Sequence, residues 1–317
     1  MAALSAAAAW PLASRAGRRV PRIGFLGPMP PRRAFRSVEA GLRAFGYVPG
    51  ETVEIESRFG DGDGQPERMA RLASELVDLD VDVLVTWGPG VLGAHRATKT
   101  VPIVAATAGD LVALGLADSL DHPGGNVTGQ TFFFEEMIVK RVELIKQAAP
   151  AMTSAGLLVL KEATYVPLFL RAVEAPAEAL GVAIKPIEVA SASEGDDALS
   201  AIPSGSIGAL VVTDQFPFLP TPAAGAIAAA AARRRLPAAG ALSLARNGGL
   251  LGYGVDFLPM WRRSAAFVDE ILKGAKAGDI PIERAVRFRT VINLKTARAL
   301  GLDLPPTLLA AADEVIE

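Results

Sequence analysis

From Pro21 onward, short apolar runs of β type alternate with stretches in which apolar residues recur at the helical period. Residues 22–26 form the first buried-strand pattern, halted by Gly27 and Pro28. Phe35, Val38, Leu42 and Phe45 then repeat at helical spacing, and Gly46 sits where a C-terminal cap belongs. Residues 53–59 alternate and run into the turn-rich stretch 60–64, after which Pro66 takes a favoured first-turn position. Residues 81–86, a helix over 90–99, residues 103–106 and a helix over 111–120 continue the rhythm. The segment from His122 to Asn126 breaks it, and residues 127–134 read as extended.

A second series follows: helix 135–149, strand 155–160, helix 166–180, strand 183–189, strand 209–213 and an Ala-rich helix running to Pro237. Strand 250–253, helix 257–272 closed by Gly274, strand 287–293 and a short helical tail complete the chain. Strict βα alternation with apolar strands predicts parallel sheets covered on both faces. Two series predict an α/β protein of two doubly wound lobes, with a first crossing near 126–131 and a last one close to 285–293. Ligands in such sheets sit beyond the carboxyl ends of the strands. That directs attention to 27–33, 86–91, 107–111, 161–166, 213–218 and 252–256.

Composition removes several function classes. Of 317 residues, 50% are hydrophobic and 21% charged with a formal net charge of −2, so the chain is neither disordered nor the concentrated positive surface that phosphate backbones require. It contains no cysteine and only His95 and His122, which do not form a metal-spaced pair. Disulfides, thiolate nucleophiles and Cys-ligated metals are therefore excluded, and neither a metal nor another cofactor is expected. Arg233, Arg234 and Arg235 follow the Ala-rich helix, where cations favour the negative end of its dipole. Residues 2–13 are small or apolar, and Ser14-Arg15-Ala16 forms a small-x-small site. Residues 1–21 thus read as a signal-peptide remnant and leader of an exported protein, one whose basic n-region is missing.

Gly88, Gly90 and Gly93 form G-x-G-x-x-G directly after strand 81–86, with Asp110 near the end of the next strand. This resembles a dinucleotide fingerprint and supports the alternative of a nucleotide-dependent Rossmann-type enzyme. Its place in the third βα unit favours instead a glycine turn whose free N–H groups receive an anionic group. Asp110 reads either as the cap of the helix beginning at Leu111 or as a carboxylate for a ligand amine. Trp87 is either a cleft aromatic or core packing. Of Phe132, Phe133 and Phe134, at most two share one face, and packing under the crossover suits one or two of them. Asp214 and Tyr253 stand at strand ends of the second series. With Met29 and Tyr165 after the first strand of each lobe, the ligand-facing set is Met29, Thr86, Trp87, Gly88, Gly90, Asp110, Phe132, Tyr165, Asp214 and Tyr253.

Several phrases occur together: Val101-Pro-Ile-Val through Ala108-Gly-Asp110, His122-Pro-Gly-Gly-Asn-Val-Thr-Gly129 and Lys140-Arg-Val-Glu-Leu-Ile-Lys146. Ile271-Leu-Lys-Gly-Ala-Lys276, Val291-Ile-Asn-Leu-Lys-Thr-Ala297, Leu300-Gly-Leu302 and Ala311-Ala-Asp-Glu-Val315 follow. Together they resemble the ABC transporter substrate-binding protein family that includes tryptophan/phenylalanine-type binding proteins. The resemblance implies a type I periplasmic-binding-protein fold with three crossovers and a hinge. On that architecture, 22–128 plus 255–286 form lobe one, and 129–254 plus 287–317 form lobe two. It also implies a non-enzymatic, periplasmic solute receptor whose partners are a small organic solute, an amino-acid-like one among the candidates, and an ABC permease with its ATPase. Contact with the membrane would run through the permease alone. Asp110 falls on the family's Gly-Asp, and residues 86–90 fall on its ligand-facing turn. Many relatives carry Asn-Pro where this chain has Lys161-Glu-Ala-Thr-Tyr165, and residues 213–217 also depart, so the resemblance leaves the solute open. A sugar-responsive repressor core shares this fold, but the segment before Arg22 is too short and Ala-rich for its helix-turn-helix.

Overall fold

The computed structural model describes residues 19–30, 32–62, 64–161, 166–219 and 221–317, with backbone alone for Arg32 and 166–169. Residues 1–18 of the expected leader, and Tyr165, lie outside the described residues. The chain opens with β1 (Arg22–Gly27), α1 (Arg32–Ala44), β2 (Glu54–Phe59), α2 (Pro66–Val77), β3 (Val83–Trp87), α3 (Pro89–Ala97), β4 (Ile103–Ala108) and β5 (Val127–Thr131). It continues with α4 (Phe134–Ala148), β6 (Ser154–Leu160), α5 (Val166–Ala179), β7 (Ala183–Val189), α6 (Gly195–Ala201), β8 (Ala209–Val212), α7 (Thr221–Arg233), β9 (Ala238–Gly240), α8 (Leu242–Arg246) and β10 (Leu251–Val255). It ends with α9 (Phe257–Leu272), β11 (Glu283–Arg284), β12 (Phe288–Asn293), α10 (Leu294–Leu300), α11 (Pro306–Ala310) and β13 (Glu314–Ile316).

These strands form two sheets, one per lobe: β11-β5-β4-β3-β1-β2 and β13-β12-β10-β9-β8-β6-β7. The first is parallel throughout; in the second, β12 runs antiparallel to β10 because the chain re-enters that lobe at its last crossing. Period-two alternation sorts the side chains of the first sheet. Ile23, Phe25, Val83, Val85 and Trp87 face α1 and α9, whereas Leu26, Leu84 and Ile103 face α2 and α3. In the second sheet, Leu157, Val159 and Val211 pack under α4 and α5, and Leu158, Leu210 and Val212 under α6 and α7.

Some expectations change. Residues 111–120 are not a helix. Asp110 caps a single turn that Gly115, at φ +67°, brings to an end, and Leu111 and Leu116 are buried without helical continuation. The extended stretch stops at Thr131, and Phe134 already opens α4. All of β5 pairs within the first sheet, so the chain leaves lobe one after residue 131, not at 128. The tail ends in a strand, β13.

The chain passes between sheets three times, after β5, after β10 and between β11 and β12. One apolar cluster gathers all three passages: Phe132, Met137, Val255 and Met260, with Phe134, Tyr253, Phe257 and Ala285 packed against it. The Phe132 ring stands 4.9 Å from that of Phe134 and 5.3 Å from that of Phe257, centre to centre. Gln130 Nε2 donates to the Met260 carbonyl at 2.7 Å and so ties β5 to α9. Three strands clamped at one waist favour bending there over sliding.

Deep in lobe two, the fully buried Arg141 of α4 holds the sheet by its carboxyl end. Its Nε donates to the Tyr253 carbonyl at 2.8 Å and its Nη1 to the Val212 carbonyl at 2.9 Å. Its Nη2 donates to Asp214 Oδ1 at 2.9 Å, and Nη1 stands 2.6 Å from Oδ2. Removing one member of such a pair strands a buried charge, at a cost of about 3–5 kcal/mol. Arg141→Met is therefore expected to lower the urea midpoint by that equivalent, and Arg141→Met/Asp214→Leu to lose clearly less. Equal losses in both variants would show that the charge pair is not what is missed.

Candidate functional site

In the first sheet, β1 feeds α1 on one face while its neighbour β3 feeds α3 on the other. The loops diverge, and a crevice opens where they part. The second sheet repeats the arrangement with β6 feeding α5 and β8 feeding α7. Met29, Thr86, Gly88, Gly90 and Asp110 all lie at or beyond the carboxyl ends of β1, β3 and β4, which are adjacent strands.

Each glycine of the 88–93 turn has a local physical reason. Gly88 precedes α3 at φ +53° and ψ −131°, a backbone that side chains rarely allow. A Cβ on Gly90 would overlap the Thr86 hydroxyl, and one on Gly93 would overlap Met69 of α2, so the third glycine serves close packing of two helices. The N-terminus of α3 receives no side-chain cap, and its first residue is Pro89, which has no N–H. Beneath it, Thr86 is fully buried and its Oγ1 makes no hydrogen bond. This corner of lobe one thus offers the positive end of a helix dipole and an unused hydroxyl.

At the exit of β4, Asp110 Oδ1 accepts from the N–H groups of Val112 and Ala113 at 2.9 and 3.0 Å. The capping role is realised, on a turn instead of a helix, and it holds the half-buried carboxylate at the mouth of the strand.

In lobe two, three successive polar residues after β8 turn inward. The Thr213 hydroxyl is shared between the Leu158 carbonyl at 3.0 Å and Gln215 Oε1 at 2.9 Å, and the Leu160 N–H donates to Gln215 Oε1 at 2.7 Å. Asp214 is held by Arg141, as described above, and is 3% exposed. It is therefore not offered to the cleft. The next residue, Phe216, is half-buried and reaches lobe one. A methyl group on Gly64 would stand 3.4 Å from its ring and 3.2 Å from Pro89 at the start of α3. Sequence reasoning marked the 213–218 segment but missed Phe216. Its signal was an aromatic directly following three polar residues.

Three further candidates move away from the cleft. Trp87 follows Val83 and Val85 to the α1/α9 face. Its indole packs 4.7 Å from that of Trp261 and 5.4 Å from the Phe25 ring, centre to centre, in space that Gly27 leaves free. Phe132 belongs to the waist cluster. Tyr253 lies inside β10 and not at its end; its ring stacks on Phe288 at 5.8 Å, and burial pushes its phenol pKa up. Two open hollows also lie away from these residues. One, of about 370 Å³, sits beside β2 and α2 and is lined by Phe59, Arg68 and Glu75; the other, of about 490 Å³, lies at the opposite end of the first sheet against His95, Lys99 and Lys276. Among the described residues, no group of three or more His, Asp or Glu is placed to hold a metal ion, and no helix is long and apolar enough to cross a membrane.

Comparisons with known proteins bear on the family and the fold. The chain is 25% identical over 260 residues to a tyrosine-binding protein of Clostridioides difficile, covering 81% of this chain and 73% of that one. A domain from Streptococcus pneumoniae solved in complex with L-Trp shares 24% identity and superposes with a TM-score of 0.85, over 94% of this chain and all of that one. A ligand-free, open substrate-binding protein with adhesive properties from Clostridium difficile shares 21% identity, with a TM-score of 0.70 over 94% and 99% of the two chains. The fold is the two-lobed type I periplasmic-binding architecture. With residues 32–316 matching its family model, the chain belongs to the ABC transporter substrate binding proteins, the non-catalytic solute-binding components of ABC importers.

Proposed function

We propose that the protein captures an amino-acid-like solute outside the cytoplasm, between its two lobes, and hands it to a membrane permease driven by a separate ATPase. The observation that carries this reading is the uncapped start of α3 above the unpartnered Thr86 hydroxyl. A carboxylate placed there meets the positive end of a helix and a hydroxyl donor together. Asp110, on the neighbouring strand exit, supplies the opposite charge for an amine. Its Oδ1 is fixed by two backbone N–H groups, so little side-chain freedom is lost on binding. A solute that carries both a carboxylate and an amine suits this pair of groups. The names of two similar proteins, one tyrosine-binding and one solved with L-Trp, support the same class.

Capture then follows from differential affinity. A solute that touches lobe one in both states, and lobe two only when the cleft is shut, shifts the equilibrium toward the shut form. The permease reads that form.

Two variants test the polar pair, with L-tyrosine and L-tryptophan as probes in calorimetric titration. Thr86→Val keeps the branched shape and removes a hydroxyl that satisfies nothing in the unliganded protein. Its melting point should stay level or rise, while affinity falls about ten- to a hundredfold, the equivalent of ~1.5–3 kcal/mol for a hydrogen bond to a charged group. Unchanged affinity would take the Thr86 hydroxyl out of the site.

Asp110→Asn keeps a capping oxygen and removes the charge. It should leave stability level and weaken binding by roughly 30-fold to several thousand-fold, the range for breaking a desolvated charge pair. Asp110→Ala should in addition destabilise the fold by about 1 kcal/mol through the lost cap. If Asp110→Asn binds as wild type does, Asp110 is a cap alone and the solute needs no amine.

A further inference from the structure

We propose that Phe216 is the closing contact of the cleft, the residue by which lobe two latches onto the start of α3 in lobe one. Its neighbours fix its place. Thr213, Asp214 and Gln215 carry the polar side chains at the exit of β8, and each is bonded inside lobe two. Thr213 bonds the Leu158 carbonyl, Asp214 pairs with Arg141, and Gln215 receives the Leu160 N–H. All three are at most 3% exposed. A segment pinned at three consecutive side chains has little freedom, so the residue after it is held out in a fixed place. That residue is aromatic, and a single 3-10 turn over Phe216–Phe218 carries the chain from it toward α7.

The far side of the contact is shaped to receive it. Gly64 sits in the loop before α2 at φ +67°, and a Cβ there would touch the Phe216 ring and press on Pro89. Pro89 is the first residue of α3. The ring of Phe216 therefore meets lobe one beside the helix terminus to which the solute carboxylate is assigned. Apolar contact there sheds water from the site when the lobes meet, and charge interactions strengthen as water leaves. Phe216 is a closure residue, not a member of the polar pair. The inference deepens the solute-capture reading, yet its test needs no solute.

The chain has no cysteine, so introduced thiols are unique labelling sites. Spin labels on exposed positions of the two lobes, Glu67→Cys on α2 and Ala226→Cys on α7, report the opening of the cleft by pulsed electron–electron distance measurement on the unliganded protein. In this background, Phe216→Ala should move population from the short to the long inter-lobe distance. Phe216→Leu, which keeps apolar bulk, should move less. A control pair inside lobe two, Glu188→Cys with Ala226→Cys, should keep its distance in every variant. Inter-lobe distributions that Phe216→Ala leaves in place overturn the proposal, and so does a changed control distance, which would make Phe216 a support of its own lobe. Because no ligand is added, these outcomes stand whether or not the solute proves to be an amino acid.

Discussion

A parallel strand covered by helices on both faces has no side chain to spare for a ligand until it passes the edge of the sheet. That constraint organises the whole molecule. Along β3, Val83, Val85 and Trp87 go to one helix layer and Leu84 to the other, and only at Gly88 does the chain leave the strand. The site we propose is accordingly built of short polar groups and a helix start at strand exits, not of a display of large side chains. Trp87 shows the rule at work. It lies one residue from the glycine turn, yet its ring completes an aromatic cluster with Phe25, Phe59 and Trp261.

The two lobes use the same topology to different ends. Lobe one leaves polar capacity open where the sheet ends, in an uncapped helix and an unpaired hydroxyl. Lobe two spends its polar capacity internally, with a buried arginine gathering two carbonyls and a carboxylate. A rigid rim facing a receptive one suits a hinge device, because rigid bodies convert a small rotation at the waist into a large change at the mouth. The waist itself is apolar and shared by three crossings, with Arg284 of β11 pairing Glu136 of α4 at 2.7 Å on its surface. Close packing of this kind favours discrete arrangements of packed bodies over a continuum.

Much of this was legible in the amino-acid order. The alternation of β and helical period carries the two doubly wound lobes, and the break at Pro123-Gly124-Gly125 stands just before the last strand of the first series. The glycine turn and Asp110 were visible as strand-exit chemistry. What could not be read depended on tertiary partners. Asp214 looks like any carboxylate at a strand end until Arg141, 73 residues earlier on α4, is seen to claim it. Residues 111–120 have helical apolar spacing, but Leu111 and Leu116 satisfy it by burial under a single turn. Short strands such as β9 and β13, three residues each, are held by their neighbours and carry too little pattern of their own. Phe216 has meaning only across the gap between lobes.

The central claim is that the start of α3 receives the carboxylate of a small zwitterion. Thermal-shift titration with matched trios tests it most directly, since a ligand that binds only the native state raises its melting point. Each trio holds an amino acid, the amine lacking its carboxylate and the acid lacking its amine. A concentration-dependent rise is expected with at least one amino acid, a weaker rise with the corresponding acid and none with the amine. An amine that stabilises as well as its parent amino acid, or no rise with any amino acid, would contradict it.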